Sequence, residues 1–440
     1  PMLSPHLAGL VRSAAPAVAF HRLTIDAPLQ QRLEALVHDR AAQFDRHFSA
    51  AVIVADHRSG EVLASIGAPN LFDSARLGYI DMTRAVRSPG STLKPLIYGL
   101  AFEAGLAHPE SMIEDRPTAF GAYLPQNFDK VFHGTVSVRT ALQLSLNIPA
   151  VTVLDGVGPA RLLARMRRAG INPVLPVGSG PGLAIGLGGL GLSLRDLVVL
   201  YAAIARGGKA VPLVERMDKR STAAAPPQLL SAEAAWQVAD ILAGAPSLPT
   251  AAMNHLAYKT GTSYGHRDAW AIGFDGRYVV GIWLGRPDGA SAPGTVGIDQ
   301  AAPLLFEVFG RLDGAPVPLS APPPGVLTVS NAELPLPLRR LRQPKAGPTG
   351  SQIGPQIAFP PDRARVELGL SDDTIPPGTG TLALKVRNGT PPFTWMINGR
   401  PLDATSYERA ANWRPDGPGY TSIAVIDAHG NSDRVGVYLQ

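Results

Sequence analysis

Residues 87–100 read RSPGSTLKPLIYGL, a lysine set in apolar surroundings three residues after a serine. A lysine in such a place costs free energy unless partners offset it. Pro89 and Gly90 precede Ser91 and Pro95 follows Lys94. That pattern fits a helix beginning here, since proline is tolerated in a first turn or at a kink. On such a helix Ser91 and Lys94 share a face, so hydroxyl and ammonium can meet. Ser91 would also sit at the positive end of the helix dipole, where developing negative charge is favoured. The spacing alone is common by chance, and a solvated helix lysine would look the same. The rest of the chain has to decide.

Outward from this stretch the pattern changes on both sides. Upstream, IDAPLQQRLEALVHDRAAQF predicts an amphipathic helix within 25–50, with Asp26 as N-cap and Pro28 in the first turn. SAAVIVADHRSGEVLASIGA (49–68) predicts a hairpin turning at Arg58-Ser59-Gly60. The chain from about 92 to 243 is helical in pattern, and DAWAIGFDGRYVVGIWLG (268–285) predicts a second hairpin turning at Asp275-Gly276. Two hairpins bracketing a helical block predict an α+β fold whose antiparallel sheet is built from both ends. Between 316 and 361 there are twelve prolines and one aromatic, Phe359, which predicts an extended, semi-rigid linker. Beyond it, short alternating runs such as TLALKVRNG and TSIAVIDAHG, with an Asn398-Gly399 turn, predict a small all-β sandwich in which Trp395 and Trp413 are core residues.

Composition narrows the classes of function. With 440 residues, 45% apolar and 17% charged, the chain is globular, with room for two or three domains. No apolar run reaches the ~20 residues of a membrane span, and the beginning at Pro1 is read as a cut within a longer protein. Absence of cysteine excludes disulfides and thiolate chemistry. The net charge of +5 comes from scattered arginines, and the one dense cluster, LRRLRQPK (338–345), reads as a solvated linker face; no nucleic-acid partner is expected. The ten histidines show no ligand spacing, so no metal and no cofactor is expected. GLGGLG (186–191) imitates a dinucleotide fingerprint, but no strand–helix–strand series surrounds it. Ser193 and Asp196 instead read as a capping pair for a helix ending at Gly207-Gly208.

Two further stretches change the reading of Ser91 and Lys94. LSLNIPA (144–150) holds Ser145 and Asn147, and YKTGTS (258–263) holds Lys259, Thr260, Gly261, Thr262 and Ser263 just before the second hairpin. There are only seven lysines in the chain, and two fall in these motifs. S-x-x-K, S-x-N and K-T-G in this order are the signature set of serine acyl-transferases that react with penicillin. A serine is a poor nucleophile unless a base takes its proton. A lysine with an ordinary pKa of ~10.4 becomes a base near pH 7 only at about 4 kcal/mol, and burial and a second cation push that way.

Over roughly 22–315 the chain resembles bifunctional penicillin-binding proteins, most closely the 1C type. The similarity is carried by DMTRAVRSPGSTLKPLIYGLAFEAGLAHPESMIEDRPTAFGAYLPQNFDKVFHGTVSVRTALQLSLNIPAV and YKTGTSYGHRDAWAIGFDGRYVVGIWLGRPDG. The β-rich tail is similar to the C-terminal domain of that type. The resemblance implies the serine β-lactamase/penicillin-binding transpeptidase fold. The domains would be a linker remnant (1–21), a transpeptidase domain (22–315), the Pro-rich linker (316–358) and a C-terminal β-sandwich (359–440). Ser91 would be the acylated nucleophile, Lys94 its base, Ser145 and Asn147 the proton relay and substrate clamp, and Lys259 a cation lowering the Lys94 pKa. Thr260, Gly261, Thr262 and Ser263 would bind substrate, with the N–H groups of Ser91 and Thr262 as oxyanion hole. The implied reaction is D,D-transpeptidation, with D-Ala-D-Ala stem peptides as donor, an amine as acceptor and β-lactams as stalled mimics. Hydrolysis, by a carboxypeptidase or a β-lactamase, uses the same serine and lysine; a silent wall-precursor sensor or scaffold is the non-enzymatic alternative. The resemblance places the protein on the periplasmic face of the cell envelope, with a membrane anchor and a glycan-polymerising domain upstream, so no glycosyltransferase activity is expected of this chain. The tail is expected to dock a protein or wall polymer. The family commonly carries an aromatic where this chain has His266, which reads as a rim residue, while Arg267 and Trp270 read as structural.

Overall fold

A computed structural model describes residues 3–120, 123–178, 180–219, 226–246, 256–292, 294, 296–341, 354–367, 381–398, 400–402, 406–415, 417–428 and 432–440. The chain falls into two compact units, Pro1–Gln343 and Pro344–Gln440.

Unit 1 opens with α1 (Pro5–Ala14) and α2 (Ala27–Ala41), the latter capped by Asp26, whose side chain accepts from Leu29 N. β1 (Ser49–Asp56) and β2 (Val62–Ile66) form the first hairpin, turning through Gly60 at φ 81°. A 3₁₀ turn, Gly90–Leu93, runs into α3 (Lys94–Glu103). β3 (Met112–Asp115) and β4 (Gly134–Ser137) pair with each other, followed by α4 (Val138–Gln143), α5 (Asn147–Val157), α6 (Pro159–Arg168), α7 (Leu194–Ala205) and α8 (Ala232–Ala243). α7 starts on the Ser193/Asp196 capping box, as the sequence predicts. The remaining strands are β5 (Ala257–Thr262), β6 (Asp268–Phe274) and β7 (Tyr278–Gly285), then a π-helical turn leads into α9 (Ala302–Phe309).

The sheet order β2-β1-β7-β6-β5 is antiparallel throughout and joins both ends of the unit, as the two hairpins predict. Alternation along each strand feeds two cores. Ala51, Ile53, Trp270, Ile272 and Trp283 face the helical block, whose central member α3 is buried from Lys94 to Phe102. Val52, Val54, Ala271, Ile282 and Leu284 face α2 and α9. The sheet is therefore a middle layer between helices, and its edge strand β5 packs against the Gly90–Leu93 turn.

The stretch expected to be linker over 316–358 divides. Residues 316–341 belong to unit 1: Trp236 donates to Ser320 O, Ser111 to Leu338 O, Leu334 is buried, and α10 (Leu336–Arg339) forms. Residues 342–353, with Arg342 and Lys345 of the basic cluster, lie outside the described residues.

Unit 2 consists of β8 (Gln356–Phe359), β9 (Arg365–Val366), β10 (Leu382–Arg387), β11 (Thr394–Ile397), β12 (Arg400–Pro401), β13 (Ala410–Trp413), β14 (Gly419–Ile426) and β15 (Ser432–Leu439). Two sheets, β13-β10-β8 and β12-β11-β14-β15-β9, share one core in which Leu384, Phe393, Trp395, Trp413, Val425 and Val437 are buried. This is a sandwich, and both tail tryptophans are in its core. The expected Asn398-Gly399 turn falls outside the described residues at Gly399. No helix among the described residues is long and apolar enough to cross a membrane.

Candidate active site

Ser91 occupies the 3₁₀ turn ahead of α3 and is partly exposed. The turn is held on every side. Trp270 Nε1 on β6 donates to Ser88 O at 2.9 Å, Tyr201 Oη on α7 donates to Thr92 O at 2.9 Å, and Thr92 Oγ1 donates to Pro89 O at 2.8 Å. Trp270 is thus structural, as expected from its place in the sequence. Gly90, at φ 52°, lies so close to β5 that a Cβ there would sit 2.4 Å from Thr262 O. From the other side, a Cβ on Gly261 would meet Thr92 Cγ2 at 2.7 Å and Pro89 O at 2.8 Å. Two glycines therefore allow the Ser91 turn and the edge strand to touch, which answers for the glycine in K-T-G.

Lys94 begins α3 with 0% exposure, and Pro95 in the first turn leaves no amide unsatisfied. Its Nζ donates to Ser145 O at 2.5 Å and Asn147 Oδ1 at 2.7 Å, with Ser145 Oγ farther off at 3.4 Å. Ser145 lies in the tight turn between α4 and α5 at φ 59°, a left-handed conformation costing a non-glycine residue roughly 1–2 kcal/mol. That conformation aims both its carbonyl and its hydroxyl at lysines. Lys259 Nζ, on β5 and also buried, donates to Ser145 Oγ at 2.9 Å and Thr260 O at 3.0 Å. Ser91, Lys94, Ser145, Asn147 and Lys259 thus come from α3 and its leading turn, the α4–α5 turn and the sheet edge to one place.

Both lysines are pushed toward the neutral form. Burial, and then the charge of Lys259, holds the Lys94 ammonium well below the ordinary lysine range, with Asp115 pulling the other way. Burial lowers Lys259 to about 7. Among the described residues no hydrogen bond reaches the Ser91 hydroxyl, and no carboxylate lies within ion-pair distance of either lysine. Ser91 and Lys94 are therefore neighbours across one turn with no direct bond, and the bonds of Lys94 run instead to the S-x-N turn.

Thr260 and Thr262 are partly exposed on β5, and Thr262 Oγ1 accepts from Gly297 N at 3.1 Å. Ser263, expected with the substrate-binding residues, is buried and its hydroxyl donates to Asp268 Oδ2 at 2.8 Å. Asp268 in turn accepts from Trp283 Nε1 at 2.9 Å, so Ser263 belongs to a support behind the strand. His266 is half-buried, edge-on to Phe128 with ring centroids 5.6 Å apart, which fits a rim position. Gln126 and Asn127, which no motif picks out, hold Asn147 through its Nδ2 and its backbone N–H at 2.7 and 2.8 Å. No spacing marks them: they are two polar residues in a loop that also carries Leu124, Phe128, Val131 and Phe132. Among the described residues no group of three or more metal-ligating side chains is present.

The chain is similar to known proteins in sequence and in fold. Residues 50–285 match the family described as penicillin binding protein transpeptidase domain, and 345–437 match the Penicillin-Binding Protein C-terminus Family. Penicillin-binding protein 1C of Escherichia coli is 46% identical over 297 residues, covering 65% of this chain and 37% of that protein. Penicillin-binding protein 1B of Vibrio cholerae is 30% identical over 299 residues, covering 60% and 37%. The chain thus spans little more than a third of the length of these relatives. Among solved structures, the PonA1 protein of Mycobacterium tuberculosis in complex with penicillin V superposes with a TM-score of 0.61 at 21% identity, covering 73% of this chain and 94% of that one. That likeness is one of fold.

Proposed function

This chain belongs to the penicillin-binding protein transpeptidase family, and from that premise we propose that it is a D,D-transpeptidase acting through a Ser91 acyl-enzyme. The observation that carries this reading is the convergence on Ser145 of Lys259 and of Lys94, which itself lies one turn after Ser91.

A neutral Lys94 amine has two N–H groups and one lone pair. Its two short bonds, to Ser145 O and Asn147 Oδ1, use the N–H groups and leave the lone pair for the Ser91 proton. Ser91 Oγ then attacks the carbonyl of the penultimate D-Ala while Lys94 takes its proton. The N–H of Ser91, a first-turn donor without an intrahelical acceptor, and the N–H of Thr262 receive the oxyanion, each such donor being worth roughly 3 kcal/mol. Ser145 Oγ, bonded to Lys259, gives its own proton to the departing amine of D-Ala and takes in exchange the one held by Lys94, whose Nζ is 3.4 Å away. An acceptor amine from a second stem peptide attacks the ester, and Ser91 is regenerated. Thr260 and Thr262 on the open edge of β5 would take the donor's terminal carboxylate, with Lys259 adding positive charge. A β-lactam opened by Ser91 loses no leaving group, so it stays attached whole. The reaction belongs to the bacterial cell envelope, and the β-sandwich unit is read as a non-catalytic module.

Intact mass after incubation with a panel of β-lactams tests the reading. The expected result is an adduct of the full drug mass on Ser91, absent in Ser91→Ala, and a crosslinked product from a stem peptide supplied with an acceptor amine. Drug turnover without an adduct, or release of D-Ala with no crosslink at any acceptor concentration, would overturn transpeptidation in favour of hydrolysis.

A further inference from the structure

Asn147 has to present one particular atom to Lys94. Its amide carries an acceptor at one end and donors at the other, and half a turn about the last side-chain bond would exchange them. α5 cannot fix this by itself, because it opens on Leu146, whose side chain offers no oxygen to cap the first N–H groups. The loop before β4 supplies what is missing. Asn127 Oδ1 accepts from the Asn147 backbone N–H at 2.8 Å, and Gln126 O accepts from Asn147 Nδ2 at 2.7 Å. Only Oδ1 of Asn147 then remains for Lys94, at 2.7 Å.

Asn127 is oriented in its turn by a carboxylate with no exposed surface. Its Nδ2 donates to Asp115 Oδ1 and Oδ2 at 2.9 and 2.8 Å, and to Val131 O at 2.8 Å. A carboxylate only accepts, so it turns the nitrogen end of the Asn127 amide toward itself and the oxygen end toward α5. Asp115 ends β3 directly opposite the start of β4, where the His133 N–H donates to Oδ2 at 2.8 Å and His133 Nδ1 lies 3.1 Å from the same oxygen. Among the described residues no lysine or arginine pairs with Asp115. A buried anion with no lysine or arginine beside it is costly, and the bonds it accepts from Asn127 and His133 N–H are what it gives in return.

We propose that Asp115, acting through Asn127, is a positioning residue of the acylation step: it anchors the Asn147 backbone N–H on the 126–127 loop, and so keeps Gln126 O on Asn147 Nδ2 and Oδ1 on Lys94. The inference rests on the transpeptidase reading and deepens it. Both side chains are buried; Asn127 acts at two and Asp115 at three hydrogen bonds' remove from the base. The negative charge of Asp115 also favours a cation at Lys94, opposing the burial and the Lys259 charge that drive its proton off.

The test uses the whole 440-residue chain and a β-lactam whose non-covalent affinity and acylation rate constant are measured separately. Asp115→Asn sets amide against amide, and Asn127→Asp sets carboxylate against carboxylate. Each is expected to slow the acylation rate constant about 100-fold, the usual effect of a small misplacement of a reacting group, with the drug's Kd unchanged. The double exchange, Asp115→Asn with Asn127→Asp, reverses donor and acceptor and keeps an oxygen facing the Asn147 N–H. It gives up the bond to Val131 O, so partial recovery is expected, to an acylation rate constant at least about tenfold above that of either single variant. Thr135→Val, which removes a 2.9 Å bond to Glu114 from the same strand pair, serves as a control expected to acylate normally. Single variants acylating at the normal rate would overturn the proposal, and so would single variants that lose affinity and melting temperature together without recovery in the exchange. An unaltered chain that takes up no β-lactam would remove the transpeptidase reading and this inference with it, a different result from either.

Discussion

Gly90→Ala is the sharpest single perturbation of the site. The new Cβ would lie 2.4 Å from Thr262 O and 2.8 Å from Thr262 C, where ordinary contacts begin at 3.4 Å, so the Ser91 turn and β5 must part by about 1 Å. The backbone cannot help, because φ at Gly90 is 52° and a left-handed alanine costs roughly 1–2 kcal/mol. Forcing a methyl group into packed backbone adds typically 1–3 kcal/mol, giving about 2–5 kcal/mol in all. The larger effect falls on chemistry. Ser91 and Thr262 are the two proposed oxyanion donors, and the substitution drives them apart along the line that joins their segments. Loss of one such donor slows reaction ~100- to 1,000-fold. The assay is the time course of labelling by a fluorescent penicillin, with thermal unfolding of the same sample. Labelling slowed at least about 100-fold and a clearly lower melting temperature are expected. Gly180→Ala, where no heavy atom lies within 4 Å of the new Cβ, is expected to change neither. If Gly90→Ala labels at the normal rate with an unchanged melting temperature, the close approach of turn and strand does not set the oxyanion geometry.

Lys259→Met is expected to abolish acylation and to stabilise the fold in a pH-dependent way. The folded lysine titrates at about 7 and an unfolded one near 10.4, so the unfolded chain binds the extra proton between these values and stability rises with pH across that window. Below pH 7 the charge is buried in full, so the gain in melting temperature on replacement should be largest at pH 6 and shrink toward pH 10. A gain that does not vary with pH would contradict the buried-charge account. Trp270→Phe removes the donor to Ser88 O and leaves that carbonyl unpartnered, at about 1–3 kcal/mol; denaturant unfolding should show the loss, and labelling by penicillin should slow with it.

Much of this architecture is legible in sequence where local chemistry decides it. Gly60 and the Asp275-Gly276 pair make turns because of their own backbone and side-chain preferences, and the flanking β-rich runs then have one hairpin to form. Asp26 and Ser193 cap helices through contacts three residues away, within reach of any local reading. The three motifs are legible as chemistry for another reason: few residue sets make a nucleophile from serine and a base from lysine. What escapes is set by distant parts of the chain. Ser145 adopts a left-handed conformation because two lysines from elsewhere need its two oxygens, and nothing in LSLN announces it. Ser263 sits in the same short run as Thr262 yet alternation turns its hydroxyl to Asp268. Asn127 reaches Asn147 across twenty residues, and the proline-rich run up to Leu341 is held by Ser111 and Trp236 from the helical block. Composition reads that run as linker because proline stretches look alike whether they span a gap or lie along a surface.

The lysines themselves make the strongest case that this site is kept for chemistry. Seven of the forty basic residues are lysine, and Lys94 and Lys259 are the only buried lysine or arginine side chains among the described residues. Burying an ammonium costs several kcal/mol, and replacing buried charge by an apolar side chain of similar volume is commonly neutral or stabilising. Neither lysine has a carboxylate partner among the described residues to recover that cost, and hydrogen bonds to a hydroxyl and carbonyls compensate only in part. Arginine would not serve in either place, because it cannot give up its proton near neutral pH. A fold selected for stability alone would hold methionine or leucine at both positions. The unfavourable burial is what pushes the two amines toward the neutral form, and a lysine that has lost its proton beside Ser91 is the base that the proposed acyl-transfer would need.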